Sequence, residues 1–118
     1  MTGLCYGAAK LAGWHNKLAT GKPFTHEEQD ALFPVRIALC HSELSEALEG
    51  HRKGLKDDKL PRRDMAEVEL ADTVIRVFDL AGAINYDLGA AIAEKLAFNA
   101  QRADHKAENR KAGGGKTY

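Results

Sequence analysis

Apolar residues recur at intervals of three and four along successive segments of this chain, which is the periodicity of amphipathic helices. The pattern predicts four main helices, over residues 3–20, 35–53, 64–82 and 88–106. Proline and glycine, which interrupt or cap helices, separate the first three of them at Gly21, Pro23, Pro34 and Gly54. A capping box, Thr25-His-Glu-Glu28, starts a further helical segment, and Asp87 is a good N-cap for the last helix. The sequence therefore predicts an all-α fold.

The length of the chain bounds its organisation. With 118 residues it can build one hydrophobic core, and we predict a single helical domain over residues 1–118. The composition, 44% apolar and 29% charged with three prolines, is typical of a compact helical domain. Residues 104–118 are basic on balance and contain a run of three glycines, so we predict a flexible tail there.

Charge and hydropathy exclude several classes of protein. The 17 basic and 17 acidic residues balance, so no overall field attracts nucleic acid or an anionic membrane. No apolar run approaches the roughly 20 residues of a membrane span, and the N-terminus does not have the form of a signal peptide. Cys5 and Cys40 have neither metal-binding nor redox spacing. We expect a cytoplasmic protein with no nucleic-acid or membrane partner.

Two pairs of carboxylates lie on the two central helices. Glu43-Leu-Ser-Glu46 and Glu69-Leu-Ala-Asp72 each hold two acids three residues apart, so each pair projects from one helical face. Four converging carboxylates would repel one another unless divalent cations neutralised them. Oxygen ligands favour Mg²⁺, with Mn²⁺ as a substitute. We predict that these four residues hold metal, with Asp79, two turns after Asp72, as an extra ligand or water-orienting acid.

Basic and polar residues elsewhere on the helices are candidates for substrate binding. Lys53 lies on the same side of its helix as the first acid pair, where it would meet a phosphate oxygen or simply face the helix dipole. Lys95, Asn99 and Arg102 lie on or beside the apolar stripe of the last helix, where they would bind polyphosphate or extend to solvent. In the tail, Lys116 could fold over the site and reach phosphate.

Two further features concern the ring of a ligand and the oligomeric state. Trp14 and His15 lie side by side in the first predicted helix, and either form part of the core or stack on a ligand's ring. The third helix, over residues 64–82, is apolar on more than one face. It therefore lies at the centre of the bundle or is covered by another subunit, and we favour a homo-oligomer with this helix in the interface.

The motifs occur in the order Glu-x-x-Glu, a polar connection, Glu-x-x-Asp and then Lys-x-x-x-Asn-x-x-Arg. This order resembles the MazG-like, all-α nucleoside triphosphate pyrophosphatases. The resemblance covers roughly residues 35–118, including Glu46-Ala-Leu-Glu-Gly-His-Arg-Lys-Gly54 and Lys95-Leu-Ala-Phe-Asn99. It implies a four-helix module that forms dimers or dimers of dimers.

The resemblance also implies a reaction. Mg²⁺ held by the four acids would promote cleavage of a (d)NTP between its α and β phosphates, releasing a nucleoside monophosphate and pyrophosphate. The catalytic acids would be Glu43, Glu46 and Asp72. Lys95 and Asn99 would contact the substrate, and the adjacent tryptophan and histidine of the first helix would be candidates for the base pocket.

The chain departs from the family pattern at one position. Some members carry a glutamate, suggested as the general base, immediately before the first motif acid, where this chain has Ser42. Serine does not readily accept that proton, so water activation would fall to a motif acid or to metal-bound hydroxide.

Other functions remain open from the sequence. A base-specific dUTP or dCTP hydrolase and a phosphoribosyl-ATP pyrophosphatase attack the same type of bond. A non-catalytic helical oligomeric scaffold would use the same helices without a metal. A di-iron carboxylate protein is excluded, because it requires Glu-x-x-His motifs and the chain contains none.

Overall fold

The computed structural model describes residues 1–102, 104, 106–111, 113 and 114. The protein is all-α and 68% helical, and the described residues contain no strand, which confirms the predicted fold class. The helices are α1 (Thr2–Leu11), α2 (His26–Ala31), α3 (Phe33–Lys53), α4 (Met65–Ala83), α5 (Leu88–Gln101) and α6 (Ala107–Lys111). None of the described helices is both long enough and apolar enough to span a membrane.

The chain divides into two compact units, Met1–Tyr86 and Asp87–Tyr118. The first unit contains α1 to α4, and the second contains α5 and α6. The prediction of one domain over residues 1–118 stays a prediction. In the second unit Asp87 caps α5 as predicted, because its side chain accepts a hydrogen bond from the backbone N–H of Ala90.

The α3 and α4 helices form the antiparallel pair on which the first unit is built. Gly50 of α3 lies against Met65 of α4, while Glu43 of α3 contacts Arg76 of α4, so residue numbers rise along one helix as they fall along the other. Gly54 ends α3 in the left-handed conformation, with φ 61°, as its sequence position predicts.

The breaks before α3 follow from local chemistry. The capping box at Thr25 is present, with the Thr25 hydroxyl accepting from the Glu28 N–H and the Glu28 carboxylate accepting from the Thr25 N–H. Pro34 lies in the first turn of α3, where a missing backbone donor removes no intrahelical hydrogen bond. The predicted interruption at this proline is therefore confirmed as the boundary between α2 and α3.

The first helix is much shorter than the predicted span of 3–20, and that prediction is wrong beyond Leu11. The chain leaves the helix at Gly13, which takes a positive φ of 86°. It then doubles back, with a bridge between Asn16 and Pro23 and a hydrogen bond from Phe24 N–H to the His15 carbonyl. This loop carries His15 toward α4 instead of continuing along α1.

Small side chains dominate the buried apolar core of the first unit. The buried apolar residues are Cys5, Cys40, Ala47, Leu80, Ala81 and Ala83. Larger apolar residues on the same helices are exposed in the isolated chain, including Leu48 of α3 at 60% and Leu70 of α4 at 52%. The helices thus carry more large apolar side chains than the isolated chain buries.

Candidate functional site

Three carboxylates from two helices come together where α3 and α4 pack. Glu43 of α3, with Glu69 and Asp72 of α4, contributes carboxylate oxygens that all lie within 4.8 Å of one another. Glu69 and Asp72 share a helical face because they are three residues apart, and Glu43 reaches them from the antiparallel neighbour. We call these three residues the acidic group. Its oxygens could hold a metal ion.

The acidic group is shielded from solvent, and its members perturb one another. Glu69 is buried, and the side chain of Glu43 is only 12% exposed. Burial raises the pKa of Glu69 to about 7, helped by a hydrogen bond with Glu43 and by the negative charges of Glu46, Glu43 and Asp72. A metal cation would neutralise this repulsion, so the three carboxylates could hold a metal ion.

One basic side chain contacts the acidic group. Arg76, one turn after Asp72 on α4, donates a hydrogen bond from Nε to Oε1 of Glu43 at 2.5 Å. Among the described residues, no other lysine or arginine forms an ion pair with these three carboxylates. The group therefore carries more negative charge than its protein partners compensate.

The fourth predicted ligand, Glu46, is exposed and is not one of the three converging carboxylates. It is nevertheless close enough for its charge to raise the pKa of Glu69. Asp79, predicted as an extra ligand or water-orienting acid, instead accepts a hydrogen bond from His15.

A cleft of about 800 Å³ lies beside the acidic group in the first unit. Glu43 and Asp72 line it, and so do Arg36 and Asp79, each two helical turns away on α3 and α4. Two turns span roughly 11 Å, so the cleft extends well beyond the acidic group. Most of its remaining lining is apolar, contributed by α1, α3, α4 and the loops: Cys5, Ala8, Ala9, Ala12, Trp14, Phe24, Leu32, Val35, Leu39 and Ile75.

A buried polar cluster surrounds His15, which is only 2% exposed. Its Nε2 lies 2.6 Å from Asp79 Oδ1, while its Nδ1 lies 3.1 Å from Gln29 Nε2 and 3.3 Å from Arg36 Nη2. An arginine can only donate, so Nδ1 is the acceptor and Nε2–H donates to Asp79. The ring of Tyr6 meets the imidazole edge-on, with centroids 4.8 Å apart. We call His15, Gln29, Arg36 and Asp79 the histidine cluster.

The histidine cluster is not fully satisfied. Arg36 Nη1 and Gln29 Oε1 are buried and have no hydrogen-bond partner among the described residues. Burial also lowers the pKa of Arg36, against the opposing effect of Asp79. An unmade hydrogen bond of a buried group typically costs about 1–3 kcal/mol, so the cluster holds unused binding capacity.

The other predicted substrate-binding residues of the first unit have different surroundings. Trp14 is 76% exposed and lines the cleft, so it is accessible to a ligand. Lys53 is exposed and pairs with Glu49 at 2.6 Å, which raises the pKa of its ammonium group. Lys53 is not part of the cleft lining, and its predicted contact with phosphate stays a prediction.

In the second unit, the basic side chains of α5 have local partners. Lys95 Nζ lies 4.9 Å from the centroid of the Phe98 ring, and Arg102 makes two hydrogen bonds to the carboxylate of Asp104. Asn99 Oδ1 is buried without a partner in the described part of the chain. Their predicted contacts with substrate remain untested, and Lys116 lies outside the described residues.

Sequence reasoning missed Arg36 and Gln29. A signal existed for Arg36, since it is a lone charge within Phe33-Pro-Val-Arg-Ile-Ala-Leu39, where an arginine interrupts an apolar run. No comparable signal exists for Gln29, which lies among polar residues of α2; its burial and its contact with His15, 14 positions away, depend on the tertiary fold.

Comparison with protein-family models, with curated proteins and with solved structures found no match.

Proposed function

We propose that the protein is a Mg²⁺-dependent nucleotide pyrophosphohydrolase of the MazG-like, all-α type, which cleaves a (d)NTP between its α and β phosphates. The observation that carries this proposal is the acidic group, whose oxygens lie within 4.8 Å of one another beside a cleft of about 800 Å³. A metal at the acidic group and a nucleotide in the cleft would share Glu43 and Asp72 as lining residues.

Glu43, Glu69 and Asp72 would hold the metal, with Glu46 available at the edge of the group. When bound, Mg²⁺ would supply charge neutralisation to the phosphoryl oxygens and to the leaving pyrophosphate. Mn²⁺ has the same preference for carboxylate oxygen and would substitute. The raised pKa of Glu69 supports the assignment, because it reflects a buried carboxylate that lacks a compensating cation.

The residues of the chain would divide the remaining tasks. Water attacks the α phosphorus, the bond from that phosphorus to the bridging oxygen of the β phosphate breaks, and the water proton must be accepted. Glu46 is our candidate acceptor, because it is exposed beside the acidic group and forms no ion pair in the described part of the chain. Ser42 is unsuited to this role, since its hydroxyl donates to the Leu39 carbonyl of its own helix.

We further propose that the chain acts as a dimer or dimer of dimers built on a four-helix module. Exposed apolar side chains on α3 and α4 support this proposal, among them Leu48, Leu70 and Val74. Apolar surface on packed helices that one chain leaves exposed is what a subunit interface would cover. Sedimentation or light scattering on the purified protein would measure the oligomeric state.

Pyrophosphate release tests the enzymatic proposal. The wild type is incubated with the canonical NTPs and dNTPs and with phosphoribosyl-ATP, with Mg²⁺ and with excess EDTA. We expect Mg²⁺-dependent release of pyrophosphate from nucleoside triphosphates, and its loss in Asp72→Ala and Glu46→Ala, both with unchanged circular dichroism. Glu49→Ala is the matched control, because Glu49 lies one turn after Glu46 and pairs with Lys53, outside the acidic group.

Each result has a clear meaning. Turnover of phosphoribosyl-ATP alone would replace the substrate assignment while keeping the metal site. Full activity in Asp72→Ala would remove the acidic group from the mechanism. No turnover of any nucleotide, together with no binding of Mg²⁺, would favour the non-catalytic scaffold.

A further inference from the structure

The histidine cluster faces a cleft whose other surfaces are largely apolar. Its members come from four parts of the first unit: the loop after α1, α2, α3 and α4. Burying four polar side chains beside an apolar cleft is unfavourable unless they are hydrogen-bonded or have a ligand. The cluster therefore requires an explanation that the acidic group does not provide.

Both ring nitrogens of His15 already have hydrogen-bond partners, so neither is free for a ligand. Its side chain is 3% exposed, its Nε2–H donates to Asp79, and its Nδ1 accepts from Gln29 and Arg36. The sequence left His15 two roles, as part of the core or stacked on a ligand's ring, and its burial fits the first. The geometry makes His15 a positioning residue, which fixes one oxygen of Asp79 and one nitrogen of Arg36.

Arg36 and Asp79 retain unused groups. Arg36 Nη1 is a buried donor without a partner, and Oδ2 of Asp79 has no hydrogen bond to any of residues 1–102. Both residues line the cleft, and both also line a small recess of about 20 Å³ shared with Leu39 and Arg76. One acceptor without a partner and one buried, unpaired donor therefore belong to two residues that line the cleft.

We propose that Arg36 and Asp79 bind the polar edge of a planar nitrogen heterocycle, the nucleobase of the substrate, and that His15 holds Asp79 in position for this contact. This inference rests on the proposed function for the identity of the ligand. A planar ring suits the surroundings, because Trp14 and Phe24 line the same cleft and the alanines of α1 leave space beside them. An N–H of the ring edge would donate to Asp79, and a ring nitrogen or carbonyl would accept from Arg36.

This arrangement predicts base discrimination at Asp79. Cytosine and uracil differ along their pairing edge. Cytosine carries an amino donor where uracil has a carbonyl acceptor, and a ring nitrogen acceptor where uracil has an N–H donor. A carboxylate only accepts, whereas an amide both donates and accepts, so Asp79→Asn changes which edge is favoured. One matched or mismatched hydrogen bond to a buried group corresponds to a change of about tenfold in relative affinity.

The test compares kcat/KM for dCTP, dUTP, dATP and dGTP in wild type, Asp79→Asn, His15→Gln and His15→Leu. We expect Asp79→Asn to change the dCTP to dUTP ratio by about tenfold or more, mainly through KM, with Mg²⁺ affinity unchanged. His15→Leu should change the same ratio. His15→Gln should keep the wild-type ratio, because a glutamine can donate to Asp79 and accept from Arg36. Asp30→Asn, an exposed position on α2, is the control for loss of one negative charge.

A second measurement separates this inference from the proposed function. Binding of cytidine and uridine, which carry no phosphate, is followed by calorimetry or NMR in the same variants without metal. A changed cytidine to uridine ratio in Asp79→Asn supports the base contact even if no triphosphate is hydrolysed. An unchanged cytidine to uridine ratio in a folded Asp79→Asn protein overturns the inference while leaving the proposed hydrolysis intact, and so does the absence of nucleoside binding by the wild type. If His15→Leu fails to fold, the other two variants are compared. A wild-type ratio in His15→Gln beside a changed ratio in Asp79→Asn supports the positioning role, and a changed ratio in both contradicts it.

Discussion

Arg76 on α4 donates a hydrogen bond from Nε to Oε1 of Glu43 on α3, and Glu43 is also one of the three carboxylates of the acidic group. The same carboxylate therefore serves an internal cation and, in the proposed function, a metal ion. Arg76 is 42% exposed and Glu43 12% exposed, so the pair is only partly desolvated. A bound metal would compete with the guanidinium for Glu43.

Replacing Arg76 should therefore tighten metal binding. In Arg76→Gln the acidic group loses a positive neighbour, and we expect the Kd for Mg²⁺ in the absence of nucleotide to fall by about fivefold, the equivalent of about 1 kcal/mol for a partly exposed ion pair. Isothermal titration calorimetry with Mg²⁺ and Mn²⁺ measures this directly.

The matched control for that change is Arg63→Gln. Arg63, just before α4, pairs with Glu67 in the first turn of that helix, and both side chains are exposed. The substitution therefore makes the same change in net charge away from the acidic group. We expect its Kd for Mg²⁺ to stay at the wild-type value. Weaker binding in Arg76→Gln would instead mean that the arginine supports the metal site.

The raised pKa of Glu69 predicts how the stability of the metal-free protein depends on pH. The folded state holds the proton of Glu69 up to about pH 7, whereas the unfolded state releases it near its ordinary value of 4.5. The resulting stabilisation is complete below pH 4.5 and is lost as the pH rises through about 7. Urea unfolding in EDTA between pH 5 and pH 8 should show this decline.

Glu69→Gln should remove most of that decline. The amide has the shape of the carboxyl group and remains neutral, so the variant should be more stable than wild type at pH 8, by at most about 3 kcal/mol, and similar at pH 5. Saturating Mg²⁺ should stabilise wild type at pH 8 and have much less effect on the variant. Glu67→Gln, on the exposed side of α4, is the control. A parallel pH profile for Glu69→Gln and wild type would show that Glu69 does not cause the decline.

The features of the fold that sequence predicts well are those set by neighbouring residues. The capping box at Thr25, the left-handed cap at Gly54 and the N-cap at Asp87 each depend on atoms within three or four residues. The pairing of Glu69 with Asp72 on one helical face is equally local. These elements can be derived from helical geometry alone.

The features that sequence does not predict depend on contacts between distant residues. His15 meets Asp79 across 64 positions, and that contact becomes available only because the chain turns at Gly13 instead of continuing α1. The apolar periodicity continues through the turn, so it does not predict that α1 ends there. The position of Glu46 is a similar case: the spacing puts it on the face of Glu43, but only Glu43 of the two reaches the carboxylates of α4.

The approach of α1 to α4 gives a prediction about stability, centred on Gly82. A Cβ atom at this position would overlap the Cβ and Cγ atoms of Tyr6, and the position of that Cβ is set by the backbone of α1. Gly82→Ala should therefore lower the free energy of unfolding by about 1–3 kcal/mol, despite the better helix propensity of alanine. Gly7→Ala is the matched control on α1, since a Cβ there meets nothing within 4 Å, and it should raise stability by up to about 1 kcal/mol. Urea denaturation of both variants measures the difference.

Because Tyr6 also contacts the ring of His15, Gly82→Ala should in addition disturb the histidine cluster, which a changed His15 imidazole resonance in NMR would report. Equal stability of the two variants would mean that α1 shifts away from α4 at little cost.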